Sequence, residues 1–231
     1  MSALKKSGAV LLGLAVIASA AAQDSFNDQV RPAPAPQMSQ PVTPTPPVVA
    51  PGRTGSGGNS QPAPNQHPTA GGQGPDFSGA HALESRDHGV AATTSLHTGS
   101  MHGPTPTSIP GGQTLSTEAL YGMMQQNPSG FLLLDVLGSG QHLPQAQAAA
   151  PAAAAGSFGD QTQQQFGQYL SQATGGNKST PLVLYCQSPQ CWMSYNAALR
   201  AVNLGYTRVL WYRGGLEAWQ AAGLPVQSAG Y

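Results

Sequence analysis

Three short apolar runs constrain this chain more than any other feature: FLLLDV at 131–136, PLVLYC at 181–186 and RVLWY at 208–212. None of them alternates polar with apolar residues, and continuous runs of this kind belong to strands covered on both faces. Stretches of helical period separate them. Ser116 reads as the cap of a helix over 117–126, with Glu118 in its first turn, Leu120, Met123 and Met124 on one face, and Asn127 and Pro128 as its stop. Asp160 and Gln163 have the form of a capping box for a helix that carries Phe166, Tyr169 and Leu170 and closes at Gly175 and Gly176. Two further helices, about 189–204 and about 214–222, end at Gly205 and Gly223. Residues 139–159, rich in Ala, Gln and Gly, read as a loop or weak helix. Strands alternating with helices predict an α/β fold, an open parallel sheet flanked by helices, over residues 113–231.

The rest of the chain has a different texture. Of the 21 prolines, 12 lie between Pro32 and Pro75, whereas all three tryptophans (Trp192, Trp211, Trp219) lie in the last forty residues. Residues 1–22 combine Lys5 and Lys6, an apolar run from Gly8 to Ile17 and small residues at 18–22, the pattern of a secretory signal peptide. That run falls short of the roughly 20 residues a membrane span needs, so no stable membrane insertion is expected after signal cleavage. The mature protein is expected to be periplasmic or secreted, in an oxidising compartment. Residues 23–75 offer little that is apolar to bury and read as a disordered Pro/Gly/Gln-rich linker. Residues 76–112 form an irregular segment that carries His81, His88, His97 and His102 at spacings that match no compact metal motif.

Charge narrows the function. Nine basic and nine acidic residues cancel to a net charge of zero, with no basic cluster of the kind that phosphate neutralisation requires, so nucleic acid is not an expected partner. No phosphate-binding glycine fingerprint is present, and two cysteines alone do not make a zinc site, so neither a cofactor nor a metal is expected. Chemistry in an open parallel sheet gathers at the carboxyl ends of the strands. Cys186 ends the second apolar run, and Ser188 and Pro189 read as the N-cap and first residue of the helix that follows. A thiol just before a ring of free helix amides has a depressed pKa and reacts as thiolate. A buried, inert thiol is the competing reading.

These residues resemble a known family. YCQSPQ at 185–190 is similar to the active loop of rhodanese-like sulfurtransferases, LLLDV at 132–136 to the family's strand ending in Asp-Val, HLPQA at 142–146 to its His-Ile-Pro-Gly-Ala, and LGYTRVLWYRGGLEAWQAAGLPV at 204–226 to its C-terminal signature. The resemblance implies that Cys186 accepts sulfur as a persulfide and passes it on, in a loop where Gln187, Ser188, Pro189, Gln190 and Trp192 contact the substrate and the amides of 187–192 cradle the persulfide. A small sulfur donor or a periplasmic thiol protein is the implied partner. The loop has the length of the sulfur-handling members rather than of the related phosphatases. Asp135 is expected to support the active loop and Trp219 to anchor the last helix, while His142 is expected to stabilise a turn.

Departures from the pattern matter equally. Cys191 stands where the family commonly has Arg, Leu137 follows Val136 where Arg is usual, and Gln145 replaces a Gly. An anionic donor has thus lost two cations. Cys186 and Cys191 are the only cysteines, and three fates stand open for them: a resolving or redox-active pair, a structural disulfide, or two free thiols. The run from Cys191 and Trp192 to Ala198 also resembles a Cys-Trp subgroup associated with pyrroloquinoline-quinone-dependent alcohol oxidation, which implies redox work. By helical spacing alone, Trp192, Tyr195, Leu199 and Val202 form the core face of their helix.

Overall fold

The computed structural model describes residues 74–228; the expected signal peptide (1–22) and nearly all of the expected linker (23–75) lie outside the described residues. In chain order the elements are α1 (Ser78–Glu84), β1 (Gln113–Thr114), α2 (Thr117–Gln126), β2 (Leu132–Asp135), β3 (Gln141–His142), β4 (Gln147–Ala148), a 3-10 turn (Ala150–Ala153), α3 (Gln161–Ala173), β5 (Leu182–Tyr185), α4 (Trp192–Asn203), β6 (Val209–Tyr212), α5 (Gly215–Ala221) and β7 (Gln227–Ser228). Five strands form a parallel sheet in the order β1-β6-β5-β2-β4, and β3 pairs antiparallel with β7 beside it. The register aligns Asp135, Tyr185 and Tyr212 across β2, β5 and β6, so three strands present their carboxyl ends in one row.

The apolar runs became β2, β5 and β6, and the reason they do not alternate is visible in the core. Successive strand residues point to opposite faces, and both faces are covered. Leu132, Leu134, Leu182, Leu184, Val209 and Trp211 pack with Phe166, Leu170, Tyr195 and Leu199 of α3 and α4. Leu133, Val183, Tyr185 and Tyr212 pack on the other side with Leu120, Leu216 and Trp219 of α2 and α5, and with Ala80 of α1. Two strands, β1 and β4, extend the sheet at its edges; with two residues each they are too short to leave a periodic signal. The stretch 139–159 forms β3, β4 and the 3-10 turn in place of a weak helix.

Helix caps follow the local rules with one exception. Ser116 Oγ accepts from the Ala119 amide at 3.2 Å, and Asp160 accepts from the Gln163 amide at 2.7 Å. The return half of the capping box does not form. Gln163 instead donates through Nε2 to the Arg200 carbonyl and to Asn203 Oδ1, both at 3.1 Å, because α4 lies against it. Arg200 is fully buried on α4 and grips Asp160 with two nitrogens at 2.9 and 2.8 Å; the Ala154 and Ser157 carbonyls and Gln163 Oε1 accept from the same two nitrogens, while its Nε–H has no partner among the described residues.

The second correction concerns α4. The expected start at Pro189, capped by Ser188, does not occur: the helix begins at Trp192 with Cys191 at the cap position in extended backbone (φ −135°, ψ 110°). Cys191 pairs with His102 from the preceding segment, and Ser188 Oγ accepts from the Gln190 amide at 3.2 Å in a local turn. A long-range pairing thus delays the helix by one turn.

Two expectations test these local features. The Arg200 guanidinium holds the Asp160 carboxyl at about 2, below its ordinary value of 3.8. The stability this pair contributes is complete above about pH 4 and falls away as pH drops toward 2. Asp160→Asn is expected to cost roughly 2–3 kcal/mol at pH 7 by leaving a buried cation underpaired, and to flatten the acid limb of a urea-midpoint-against-pH curve. Gln145 is the single non-glycine residue with positive φ among the described residues, at 66°, in the position where the resemblance expects Gly. Gln145→Gly is expected to raise the unfolding free energy by about 0.5–1 kcal/mol, read as a higher urea midpoint, since left-handed backbone strains any L side chain by roughly 1 kcal/mol.

Candidate functional site

The site lies where β5 ends. Cys186 follows Tyr185, and the loop from Gln187 to Cys191 returns the chain to α4. Cys186 and Cys191 form a disulfide with Cα atoms 6.3 Å apart, and both residues are 1% exposed. Among the three fates left open by the sequence, the structure has the oxidised pair; the described residues contain no free cysteine.

Peptide groups hold this loop from two sides. On one side the Leu216 and Glu217 amides at the start of α5 donate to the Cys186 and Gln187 carbonyls at 3.0 and 2.9 Å. Gly215 makes this close approach possible: its φ is +62°, and a Cβ there would collide with the Cys186 carbonyl oxygen. On the other side, residues 101–105 run antiparallel to 189–192 as a strap. Gly103 donates to the Gln190 carbonyl at 2.8 Å, Trp192 donates to the Met101 carbonyl at 2.9 Å, and Thr105 donates to the Pro189 carbonyl through its amide at 3.2 Å and its hydroxyl at 2.6 Å. The cradle expected from the 187–192 amides is therefore partly engaged. Pro189 has no N–H, the Gln190 and Trp192 amides are taken, and the amides of Gln187, Ser188 and Cys191 have no partner among the described residues.

The strap is anchored at both ends by residues that sequence reasoning did not single out. Asn196, fully buried on α4, accepts from the His97 amide at 2.8 Å and donates to the His97 carbonyl at 2.9 Å, a paired contact that fixes the strap's first anchor. The His97 ring stacks on Trp192 at 4.2 Å and 9°, Trp192 meets Tyr195 edge-on, and Tyr195 meets Trp211 edge-on, so an aromatic column runs from strap to sheet. Tyr195 also exchanges hydrogen bonds with the amide and carbonyl of Thr93. At the other end Arg213, 1% exposed, donates to Thr105 Oγ1 and carbonyl at 3.2 Å each and to the Glu84 carbonyl at 2.7 Å. The signal for Asn196 was an amide between Tyr195 and Ala197 in the middle of α4. Arg213 was visible only as part of a turn.

The remaining residues take distinct places. Trp192, assigned by spacing to the core face of α4, is buried with Tyr195 and Leu199, and Val202 packs at their margin. Asp135 meets the amides of Leu137 (2.8 Å) and Gly138 (3.3 Å) in its own turn rather than those of the cysteine loop, because a strand-end Asp reaches the chain two residues on more readily than a neighbouring loop. Burial pushes its carboxyl up from the ordinary value. The Tyr185 hydroxyl stands beside it and accepts from the Leu143 amide at 3.0 Å. His142 Nδ1 pairs with the Leu143 carbonyl at 3.0 Å. Trp219 donates to the Pro225 carbonyl at 2.8 Å within the core under α5. Of the four early histidines, His97 and His102 belong to the strap, and no group of three or more metal-capable side chains occurs among the described residues. Arg86 and His88 line a shallow pocket of about 50 Å³ at the outer edge of the loop, shared with Ser188, Gln190 and Glu217. Arg86 brings a cationic group, beside the Glu217 carboxylate, to a loop in which Cys191 stands at the place where the resemblance expects Arg.

Residues 116–222 match the family model of the rhodanese-like domain. The chain carries a rhodanese-like domain. The cysteine loop and the elements from α2 to α5 lie within the matched residues, and the domain points to a sulfurtransferase-type or thiol-based role. Two solved structures are similar in part. One is the solution NMR structure of the rhodanese-like domain of an Anabaena sp. protein, 19% identical, covering 49% of this chain and 76% of that chain with a TM-score of 0.35. The other is the crystal structure of a full-length protein from Lactobacillus plantarum, 18% identical, covering 48% of this chain and 84% of that chain with a TM-score of 0.35. No curated protein matches the chain.

The strap's anchorage on the rhodanese-like domain is directly testable. Asn196→Ala removes the His97 pairing, and the lost buried bonds amount to about 1–2 kcal/mol. Dithiothreitol is expected to reduce the Cys186–Cys191 bridge about tenfold faster in this variant than in the unsubstituted chain, followed by timed alkylation; equal rates would show that opening the strap does not gate the disulfide.

Proposed function

We propose that this protein is an exported rhodanese-like thiol enzyme in which Cys186 accepts sulfane sulfur and Cys191 resolves the persulfide. The observation that carries the reading is the pair itself: two cysteines closed on each other at the carboxyl end of the central strand. In the reduced protein the Gln187, Ser188 and Cys191 amides are available to stabilise an anion on Cys186 sulfur. The thiolate attacks the outer sulfur of a donor such as thiosulfate, the donor's S–S bond breaks, and sulfite leaves. Cys191 thiolate then attacks Cys186 Sγ, the persulfide's terminal sulfur departs as hydrosulfide, and the disulfide closes. Two thiols thereby reduce one sulfane sulfur to sulfide, and a partner dithiol returns the pair to its reduced form. Arg86 at the loop's edge supports an anionic donor where Cys191 and Leu137 supply no cation.

Burial of both cysteines under the strap favours a second reading, in which the disulfide staples the loop of a non-catalytic binding module. The Cys191–Trp192 pair, with its resemblance to the subgroup associated with quinone-dependent alcohol oxidation, supports redox exchange as the physiological end of the cycle. Export rests on the sequence of residues 1–22 alone; among the described residues no helix is long and apolar enough to cross a membrane.

Intact mass spectrometry after acid quench separates these readings. Reduced protein given thiosulfate is expected to release one sulfide per disulfide closed, Cys191→Ser to accumulate one added sulfur on Cys186, and Cys186→Ser to take up none. If Cys191→Ser gains no sulfur, the staple reading stands. Loss of the bridge should then cost no more than about 3 kcal/mol, since so short a loop constrains the unfolded chain little.

A further inference from the structure

The strap does more than cover the disulfide; it shows how a protein thiol can reach it. His102 lies directly opposite Cys191 in an antiparallel bridge. The two flanking hydrogen bonds, Gly103 N–H to the Gln190 carbonyl (2.8 Å) and Trp192 N–H to the Met101 carbonyl (2.9 Å), make this the non-hydrogen-bonded kind of pair. Facing Cα atoms in such a pair are about 4.5 Å apart and their side chains leave the same face of the ladder. That separation falls within the range a disulfide spans.

Beside the Met101 side chain, which packs on the core and takes a contact from Asn196 Nδ2, the main-chain contacts of the strap at this point are generic. Both bonds flanking position 102 are backbone to backbone, so any extended polypeptide reproduces them. The specific anchors lie to either side, at His97 with Asn196 and at Thr105 with Arg213. Between them, residues 98–100, His102 and Pro104 are exposed. A segment held at both ends and exposed between them opens at a lower free energy than the core it covers. The disulfide beneath is 1% exposed at each cysteine, so no thiol meets it while the strap is down.

We infer that the Gln190–Trp192 edge is the docking site for an extended, cysteine-bearing segment of a partner dithiol protein, which displaces Met101–Gly103 and places its thiol where His102 stands, opposite Cys191. The partner thiolate attacks Cys191 Sγ; the Cys186–Cys191 bond breaks, and Cys186 leaves as the thiolate that the free loop amides stabilise. A second thiol of the partner then attacks the partner's own sulfur in the mixed disulfide and releases Cys191 thiolate. Two electrons pass from the partner dithiol, which becomes a disulfide, to the cysteine pair. This inference rests on the reading above that the disulfide turns over, and it adds the register, the attacked sulfur and the class of partner.

Two measurements on the full chain test it. In the double variant His102→Cys with Cys186→Ser, oxidation in a glutathione buffer is expected to close a bridge between positions 102 and 191, located by peptide mapping. A thiol pair that stays open in the folded variant, with folding checked by circular dichroism, would overturn the register. For the unsubstituted protein, two peptides of residues 98–105 are compared, one with cysteine in place of His102 and one with cysteine in place of Ser100. The first is expected to reduce the disulfide at least tenfold faster and to be trapped on Cys191. Equal rates, or capture on Cys186, with dithiothreitol still opening the bridge, would overturn the docking inference alone; a bridge that dithiothreitol also leaves closed in the native protein would overturn the turnover reading on which it rests.

Discussion

The constraint on which this structure depends is that a buried turn must find partners for its own peptide groups. The loop between β5 and α4 takes both cysteines out of water, and an unpaired buried N–H or C=O costs about as much as a lost hydrogen bond. Cys186 and Gln187 give their carbonyls to the first amides of α5; Pro189 and Gln190 give theirs to the strap. Gly215 exists in its left-handed conformation to let the first set of bonds form, and the segment before the domain is ordered to let the second set form. These loop carbonyls are thereby paired as in an interior, while the Gln187, Ser188 and Cys191 amides keep no partner among the described residues.

Few charges are needed to hold this together. The chain has nine basic residues, and two of them, Arg200 and Arg213, are fully buried as fasteners. They solve the cost of burial differently. Arg200 has a carboxylate, with both nitrogens of its fork on Asp160, whereas Arg213 is met by carbonyls and a threonine hydroxyl. Burial accordingly lowers the Arg213 pKa, yet its proton donors join three separate pieces of chain at one point: the end of α1, the strap and the turn into α5.

Much of the sheet was legible because its signals are local. Runs such as LVLY and VLWY need no partner to be read as doubly covered strands, and Ser116 and Asp160 announce their helices by chemistry within four residues. The place of Cys186 at a strand end was legible for the same reason. What failed was decided at a distance. Ser188 and Pro189 have every local attribute of a helix start, but Cys191 is drawn into an extended bridge by His102 and into a disulfide by Cys186, so the helix waits for Trp192. Gln163 likewise deserts its capping box for α4. The strap itself has almost no periodicity to read, and its apolar anchors are few: Leu96 at its start, the His97 ring on Trp192, and Met101.

The path of the chain adds a temporal dimension. His97 is 99 residues from Asn196, and Thr93 is 102 residues from Tyr195, whereas the two cysteines are separated by five. Closing the longer loops demands more entropy and follows the formation of local structure. The strap segment is synthesised before the α4 that receives it. Two cysteines five residues apart need no distant segment in order to meet, whereas the strap that covers their bond has its anchors about a hundred residues further along the chain.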